Sequence, residues 1–274
     1  MEHPKTAFVL GGGGLLGAHE VGMLRALAEA GIRPDLVVGT SVGAFNGVFV
    51  AADPSNAAGL LTKAWQGDGA GSVFAGSVLG RMSTLIRSGT HLHSTSLLST
   101  ALDTFVPVEL IEDLAVPFHC VAANIERAEP RWFIRGPIVP AVLASCAVPG
   151  ILPPVRIGDE HFYDGGLVHS IPIGRAVREG ARTIYVLQVG RIENPLTAPR
   201  RPWQVGLVAF EIARRHRFAE EMAELPDDVT VHVLPTGATG QGSGLSQLRY
   251  RDASRVETNI DRAYAASSAY LAGD

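Results

Sequence analysis

The sequence has no long hydrophobic run. No stretch of 18 consecutive apolar residues occurs in the chain, whereas a membrane-spanning helix needs about 20. We therefore expect no transmembrane helix and, at most, peripheral contact with a membrane surface. The apolar stretch TAFVLGGGGLLGA near the start is a poor secretory signal, because four consecutive glycines disfavour the helix that a signal peptide forms. A cytoplasmic location is the resulting expectation.

Cysteine and basic charge are also scarce. Cys120 and Cys146 are the only cysteines, so we interpret them as small core residues in a reducing compartment. The formal net charge is −4, so the chain has no general basic field that would attract nucleic acid. Apolar residues make up 46% of the chain, which supplies ample core for a folded globular protein.

Short β-rich segments alternate with amphipathic or apolar helical segments along the chain. TAFVL is followed by a helix with Val21, Leu24 and Leu27 on one face, and a second strand is followed by an apolar helix that ends before Pro54. This alternation predicts a mostly parallel sheet with helices on both faces, in a single domain over residues 1–274. Residues 67–105 begin with a Gly/Ser/Thr-rich stretch that predicts an insertion or lid above the core.

A G-x-S-x-G motif follows the second predicted strand. Gly39-Thr40-Ser41-Val42-Gly43 lies between this strand and the apolar helix, which is the context that a nucleophile elbow requires. The turn is so sharp that the residues two before and two after the serine must lack side chains. The hydroxyl is then exposed at a helix N-terminus, where developing negative charge is favoured. Ser41 is therefore the candidate nucleophile.

Four glycines follow the first predicted strand. Gly12, Gly14 and Gly17 have the spacing of a dinucleotide-binding loop, in which phosphate lies at a helix N-terminus. That fingerprint also requires an acidic residue at the end of the second strand, but this sequence runs directly into Gly39 there. We therefore expect no nucleotide cofactor. Two other roles remain open, a turn needed only for close packing or a cradle of N–H groups for a negatively charged oxygen.

The base that would activate Ser41 is less obvious. The common α/β-hydrolase arrangement has several strands before the elbow and a histidine late in the chain, but only one strand and one helix fit before this elbow. His232 lies in the strand-like segment VTVHVLP, and His169 is close to Asp164 in the sequence. On its own, the D-G-G of FYDGGLV indicates a hairpin turn. A Ser-His-Asp triad and a simple turn are thus the alternatives to an aspartate base.

Four sequence motifs in a fixed order indicate a protein family more specifically than any one of these motifs does. The glycine loop, the G-x-S-x-G motif, the segment ASCAVPGILPP and the D-G-G motif together resemble the patatin-like phospholipase family, over residues 6–175. The resemblance implies a three-layer α/β/α fold with a mostly parallel central sheet. It also implies a lipid acyl hydrolase that acts on a lipid or other acyl ester and needs neither metal nor nucleotide.

The resemblance further implies a Ser-Asp dyad, with Ser41 as the nucleophile and Asp164 as the general base. An aspartate in water has a pKa of about 3.9 and is a weak base, so burial must raise the pKa of Asp164. Backbone N–H groups of the glycine loop and of the residue after the nucleophile would hold the oxyanion of the tetrahedral intermediate. The expected oxyanion-hole residues are Gly12, Gly13, Gly14 and Val42, and the other motif glycines are Gly17, Gly39, Gly43, Gly165 and Gly166.

Two positions depart from the family's pattern. The family has arginine or lysine before the last glycine of its first motif, and this chain has Leu16 there. The family also has an asparagine two residues before the proline that follows the D-G-G motif, where this chain has Ser170 before Pro172. We therefore expect no positive charge beside the glycine loop. The rigidity of that loop and a preference for charged phospholipid headgroups are left open.

Basic residues cluster near an amphipathic helix predicted to begin near Trp203. They could meet an anionic lipid surface, but Glu211 with Arg215 and Arg217 with Glu221 have the i,i+4 spacing of solvated ion pairs. We interpret the cluster as an ordinary solvated helix face, with peripheral membrane contact as the alternative. The basic residues are Arg200, Arg201, Arg214, Arg215 and Arg217.

The sequence thus predicts hydrolysis of phospholipids, lysophospholipids or acylglycerols through an acyl-Ser41 intermediate. An acyltransferase or a thioesterase with the same dyad is the nearest alternative, and a non-catalytic lipid-binding or regulatory protein is an alternative of another class. His91 and His93 have the spacing of metal ligands on a strand, but no third ligand is evident, so no metal is expected.

Overall fold

A computed structural model of the protein describes residues 5–66, 96–189, 195–200, 202–237 and 256–273. Within these residues one mixed sheet has the strand order β5-β6-β3-β2-β1-β7-β8, and β4 pairs with β3. Five consecutive strands of this order, β3, β2, β1, β7 and β8, are parallel. The strands are β1 (Thr6–Leu10), β2 (Leu36–Thr40), β3 (Phe118–Asn124), β4 (Glu129–Phe133), β5 (Val155–Ile157), β6 (Glu160–Asp164), β7 (Thr183–Leu187) and β8 (Thr230–Val233).

Helices cover both faces of the sheet. Side chains alternate along β1, so that Phe8 and Leu10 join a larger apolar core whereas Ala7 and Val9 join a smaller one on the other face. The larger core includes residues of α1–α5 and α8, and the smaller core includes residues of α6 and α7. The three-layer α/β/α fold is therefore confirmed. The helices are α1 (Ala18–Glu29), α2 (Val42–Ala52), α3 (Ala57–Gln66), α4 (Ser96–Phe105), α5 (Ile138–Cys146), α6 (Ile173–Arg178), α7 (Pro202–Ala223) and α8 (Val256–Ala272).

The predicted insertion is described only in part. Residues 67–95 lie outside the described residues, so a lid there stays a prediction. Helix α4 ends this stretch, and its Leu98 and Leu102 are buried in the larger core, so α4 is not part of a lid above the core. None of the helices in the described segments combines the length and apolar composition needed to cross a bilayer.

Two strands meet end to end along one edge of β3. β2 runs parallel to β3, and its last residue, Thr40, pairs with Val121. β6 runs antiparallel to β3, and its last residue, Asp164, pairs with Ala122. Because β4 occupies the opposite edge of β3, the carboxyl ends of β2 and β6 face each other across neighbouring pairing positions. The topology therefore brings Ser41, which follows β2, next to the end of β6.

Candidate active site

Ser41 lies on a sharp turn between β2 and α2. Its φ of 56° lies in the left-handed region that residues other than glycine rarely adopt. A Cβ on Gly39 would lie 2.5 Å from the carbonyl O of Gly43, and a Cβ on Gly43 would lie 2.3 Å from the carbonyl O of Leu10. The prediction that both flanking positions must lack side chains is confirmed. We call residues 39–43 the elbow.

Ser41 and Asp164 are in direct contact. The Ser41 Oγ donates a hydrogen bond to Asp164 Oδ2 at 2.5 Å. The other carboxylate oxygen, Oδ1, accepts the N–H of Gly166 at 2.7 Å. Ser41 is 6% exposed and Asp164 is 1% exposed, so the pair is nearly closed off from water and the expectation of an exposed Ser41 hydroxyl is wrong. Both residues lie where a nucleophile and its base need to lie.

The environment of Asp164 makes it a stronger base than an aspartate in water. Burial, the largest influence, raises its pKa from 3.8 to about 6. The hydrogen bonds from Ser41 and Gly166 and the positive charge of Arg214 act in the opposite direction. The carboxylate is therefore ionised at neutral pH but takes up a proton more readily than an exposed aspartate does.

The backbone of Ser41 is held by two residues at the end of α5. The N–H of Ser41 donates to Ser145 Oγ at 2.9 Å, and that hydroxyl donates to the carbonyl O of Val121 at 2.7 Å. The thiol of Cys146 donates to the carbonyl O of Ser41 at 3.0 Å. Both side chains belong to the ASCAVPG segment, which carried part of the family resemblance. Their roles were not predicted, although the prediction that Cys120 and Cys146 are buried core residues is confirmed.

Residues 11–17, the glycine loop, lie beside the elbow. A Cβ on Gly12 would be 3.3 Å from the Cβ of Ser41. The N–H of Gly12, however, donates to the carbonyl O of Ser170 at 3.0 Å. In this conformation Gly12 does not offer its N–H to a substrate, which corrects the role expected of it. The hydrogen bond from Gly12 to Ser170 instead holds the glycine loop in place.

Three other N–H groups fit the oxyanion role. Gly14 begins the 3-10 helix Gly14–Gly17, and Val42 begins α2, so both lie in first turns, where N–H groups lack intrahelical partners. Among the described residues, the N–H groups of Gly13 and Val42 donate no hydrogen bond. Gly13, Gly14 and Val42 are therefore the remaining candidates for an oxyanion hole.

The far end of the glycine loop is tied to α2 by a buried polar cluster. Asn46 Nδ2 donates to the carbonyl O of Gly17 at 3.0 Å and to Glu20 Oε2 at 2.7 Å. Trp65 Nε1 donates to Asn46 Oδ1 at 3.0 Å. Burial raises the pKa of Glu20 well above its ordinary value. This cluster could not be predicted from the sequence, because each member alone fits an ordinary helix position.

Comparison with known proteins places this arrangement in a family. The family model of patatin-like phospholipase matches residues 8–177. The chain belongs to the patatin-like phospholipase family. The matched range of this patatin-like chain includes the glycine loop, Ser41 and Asp164, and it ends before α7.

Individual relatives are much longer than this patatin-like chain. It is 31% identical over 190 residues to the lysophospholipase nte1 of Aspergillus terreus, covering 69% of this chain and 12% of that protein. It is 34% identical over 195 residues to patatin-like phospholipase domain-containing protein 7 of Rattus norvegicus, covering 70% and 14%. The structure of VipD from Legionella pneumophila superposes with a TM-score of 0.48 at 16% identity, over 98% of this chain and 67% of that one.

The patatin-like chain has a buried arginine where a solvated helix face was expected. Arg214 is 5% exposed, and its Nη1 donates to the carbonyl O of Gly12 at 3.0 Å. Two expectations are therefore wrong: Arg214 does not lie on a solvated face, and the glycine loop does have a positive charge beside it. The spacing within α7 could not show a contact with a loop 202 positions away.

The predicted ion pairs of α7 are confirmed only in part. Arg215 and Glu211 form the expected i,i+4 pair at 3.3 Å. Glu221 instead binds His169 Nδ1 at 2.7 Å and accepts the N–H of Gly174 at 2.9 Å. Glu221 thus contacts residues outside α7, in place of the i,i+4 pair with Arg217 that its spacing predicted.

The histidines considered as bases are engaged elsewhere. The ring of His169 is hydrogen-bonded to Glu221. His232 lies on β8, three strands away from β2, with its ring stacked on Tyr185 at a centroid distance of 4.8 Å. His91 and His93 lie outside the described residues. No group of three His, Cys, Asp or Glu side chains suited to a metal ion occurs within the described segments.

Proposed function

We propose that this chain is a lipid acyl hydrolase that cleaves carboxylic esters of fatty acids through an acyl-Ser41 intermediate. The observation that carries the proposal is the 2.5 Å hydrogen bond from the Ser41 hydroxyl to the buried carboxylate of Asp164. The positive φ of Ser41 and the raised pKa of Asp164 support it, because both are typical of activated nucleophile sites. Membership of the patatin-like phospholipase family supports the same chemistry.

Acylation begins with attack of Ser41 Oγ on the ester carbonyl carbon. Asp164 accepts the hydroxyl proton as the new C–O bond forms. The carbonyl oxygen becomes an oxyanion, which the N–H groups of Gly13, Gly14 and Val42 would hold. Loss of one such donor typically lowers kcat by about a hundredfold to a thousandfold. Val42 also begins α2, and the N-terminus of a helix favours negative charge.

Collapse of the tetrahedral intermediate breaks the bond to the alcohol. The leaving alcohol takes the proton from Asp164, and the fatty acyl group remains on Ser41 Oγ. A water molecule then attacks the acyl-enzyme while Asp164 accepts one of its protons. The second tetrahedral intermediate releases the fatty acid as Ser41 regains its proton, so each half-reaction uses Asp164 once as base and once as acid.

The proposed substrates are phospholipids, lysophospholipids and acylglycerols. The name of the Aspergillus terreus relative, a lysophospholipase, makes a lysophospholipid the first substrate to test. Leu167, in the 3-10 helix Gly165–Leu167 that follows Asp164, is 39% exposed. We propose that this side chain, three residues after Asp164, contacts the acyl chain of the substrate.

A fluorophosphonate probe tests the proposal, because it forms a stable adduct with an activated serine. We expect a single adduct on the peptide that contains Ser41, its loss in Ser41→Ala, and no loss in Ser99→Ala, which changes a half-buried serine of α4. Lysophosphatidylcholine turnover should follow the same pattern. Absence of the Ser41 adduct would favour a non-catalytic lipid-binding protein, whereas acyl products on an added alcohol would favour an acyltransferase. Faster cleavage of an acyl thioester would favour a thioesterase.

A further inference from the structure

The glycine loop obtains its positive charge from another part of the chain. Residues 11–17 read GGGGLLG and include no basic side chain. The guanidinium of Arg214, on α7, reaches this loop and donates from Nη1 to the carbonyl O of Gly12 at 3.0 Å. Because Arg214 is only 5% exposed, water screens its charge weakly.

A buried guanidinium is unfavourable unless charged or polar partners surround it. Glu211, one turn earlier on α7, provides a carboxylate 3.5 Å from Arg214 Nη1. Arg215 shares that carboxylate at 3.3 Å but is less buried, with 15% of its side chain exposed. A purely structural pair with Glu211 does not require contact with the loop. The ion pair with Glu211 therefore does not explain the hydrogen bond from Arg214 to the carbonyl O of Gly12.

The geometry of the peptide bond supplies that explanation. The carbonyl group of Gly12 and the N–H of Gly13 belong to one planar, trans peptide unit, so they point in opposite directions. A donor that holds the Gly12 carbonyl therefore also fixes the direction of the Gly13 N–H. Donation to the carbonyl polarises the peptide as well, which strengthens its N–H as a donor. The hydrogen bond from Gly12 N–H to Ser170 O holds the preceding peptide.

We propose that Arg214 is a positioning residue for the oxyanion hole, which acts by holding the Gly12 carbonyl so that the Gly13 N–H faces the reacting carbonyl oxygen. The inference rests on the proposed hydrolytic function and deepens it. It gives α7, which lies beyond the range matched by the family model, a direct part in the site.

The charge of Arg214 also acts on the base. It favours the ionised form of Asp164 and so lowers the pKa of that carboxyl. The other groups around Asp164 are the Ser41 hydroxyl, the Gly166 N–H and the thiol of Cys146, whose pKa burial raises. None of these brings a second positive charge. Removal of Arg214 should therefore move the acidic limb of the pH–rate profile to higher pH.

The test compares Arg214→Gln with Arg214→Lys, and with Arg215→Gln as a matched control on the same helix. With p-nitrophenyl butyrate as the substrate, we expect Arg214→Gln to lower kcat by about a hundredfold with KM nearly unchanged, because the misplaced donor acts mainly in the transition state. Arg214→Lys keeps the charge and should recover part of kcat and the wild-type acidic limb. Arg215→Gln should keep kcat within about twofold.

Thermal melting separates loss of function from loss of folding. If Arg214→Gln does not fold, Arg214→Lys carries the test, and a lowered kcat at an unchanged melting temperature supports the inference. Wild-type kcat and pH profile in the folded variant, or a change in KM alone, would overturn it while the proposed function stands. Wild-type protein that neither hydrolyses p-nitrophenyl butyrate nor labels at Ser41 would overturn the proposed function, and this inference with it.

Discussion

The elbow and the glycine loop lie side by side at the ends of neighbouring strands, but they are held in different ways. The elbow is shaped by close approaches of backbone, so that Gly39 packs on the start of α2 and Gly43 packs on the end of β1. The glycine loop is shaped by hydrogen bonds from distant residues, the carbonyl O of Ser170 and the guanidinium of Arg214. Close packing thus sets the course of the backbone in the elbow, whereas hydrogen bonds from distant residues orient the part of the glycine loop that holds the proposed donor Gly13.

Glycine substitutions give the largest contrast between the two regions. A Cβ on Gly43 would meet the backbone O of Leu10 at 2.3 Å, so Gly43→Ala must displace a strand and should lower the free energy of unfolding by about 4 kcal/mol or more. The nearest atom to a Cβ on Gly13 would be a side-chain methyl of Val189, at 2.1 Å, and no backbone atom is among its three nearest neighbours. Gly13→Ala should therefore fold, with a loss of about 1 to 3 kcal/mol from overpacking.

The two variants should also separate stability from activity. Gly13→Ala moves a proposed oxyanion donor, so we expect its kcat to fall by about a hundredfold. Urea unfolding and ester turnover measure the two effects. Gly59→Ala is a suitable control, because a Cβ at Gly59 would meet nothing within 4 Å. Gly31→Ala is not suitable, because the φ of Gly31 is +73°. An equal loss of unfolding free energy in Gly43→Ala and Gly13→Ala would contradict the difference between the elbow and the glycine loop.

The base beside the elbow should make stability depend on pH. Asp164 has a pKa of about 6 in the folded protein and about 3.9 unfolded, so the folded state binds the proton more tightly. Stability contributed by this group is present below about pH 4 and is lost as pH rises to about 6, by roughly 3 kcal/mol in total.

The difference in unfolding free energy between wild type and Asp164→Asn, measured from pH 4 to pH 7, isolates this effect. Wild type should lose stability relative to the variant as pH rises. Asp53 provides a control of opposite sign, because hydrogen bonds from Asn56 lower its pKa. Relative to Asp53→Asn, wild type should lose stability only as pH falls below about 4, the pKa of an unfolded aspartate, so this difference should be nearly flat from pH 4 to pH 7. A flat difference for Asp164 would contradict the raised pKa.

Removal of Ser145 tests how polar contacts support the elbow. Its hydroxyl accepts the Ser41 N–H and donates to the Val121 carbonyl in a fully buried position. Ser145→Ala leaves two buried polar groups without partners, so we expect a loss of about 2 kcal/mol in unfolding free energy. Ser99→Ala, on the surface of α4, should change it by less than about 0.5 kcal/mol. A loss no greater than that of Ser99→Ala would leave the elbow supported by packing alone.

The smallest effect is expected from His169, which lies between the two regions in the fold. Its carbonyl O accepts the Thr40 hydroxyl at 2.7 Å, whereas its ring is held by Glu221. His169→Asn should therefore keep kcat within about threefold and change stability by about 1 kcal/mol. A loss of activity comparable with that of Asp164→Asn would instead indicate that the histidine takes part in proton transfer.

The elbow could be predicted because its constraints lie within the motif and its neighbouring elements. A strand, a serine between two glycines and an apolar helix define the turn, and the structure confirms that side chains at Gly39 and Gly43 would not fit. The alternation of strands and helices likewise predicted the layers of the fold. Asp164 was identified only through the resemblance to a family, since an isolated D-G-G motif equally indicates a hairpin.

The glycine loop could not be predicted to the same degree. Its sequence does not show that the Gly12 N–H is taken by Ser170, because that contact depends on where the chain returns after β6. The i,i+4 spacing of Arg215 with Glu211 suggested that α7 faces solvent, but the same helix turns Arg214 inward. A buried arginine and a surface arginine in adjacent positions are indistinguishable by composition.

The pH dependence of Ser41 labelling by a fluorophosphonate, measured in wild type and Asp164→Asn, tests the central claim most directly. In the proposed mechanism ionised Asp164 removes the proton from Ser41, so the wild-type rate should rise with pH through a midpoint near 6 and reach a plateau. Asp164→Asn should label about a thousandfold or more slowly, with no step near that pH. Wild-type labelling rates in Asp164→Asn, or an unchanged step near pH 6, would contradict the Ser41–Asp164 dyad.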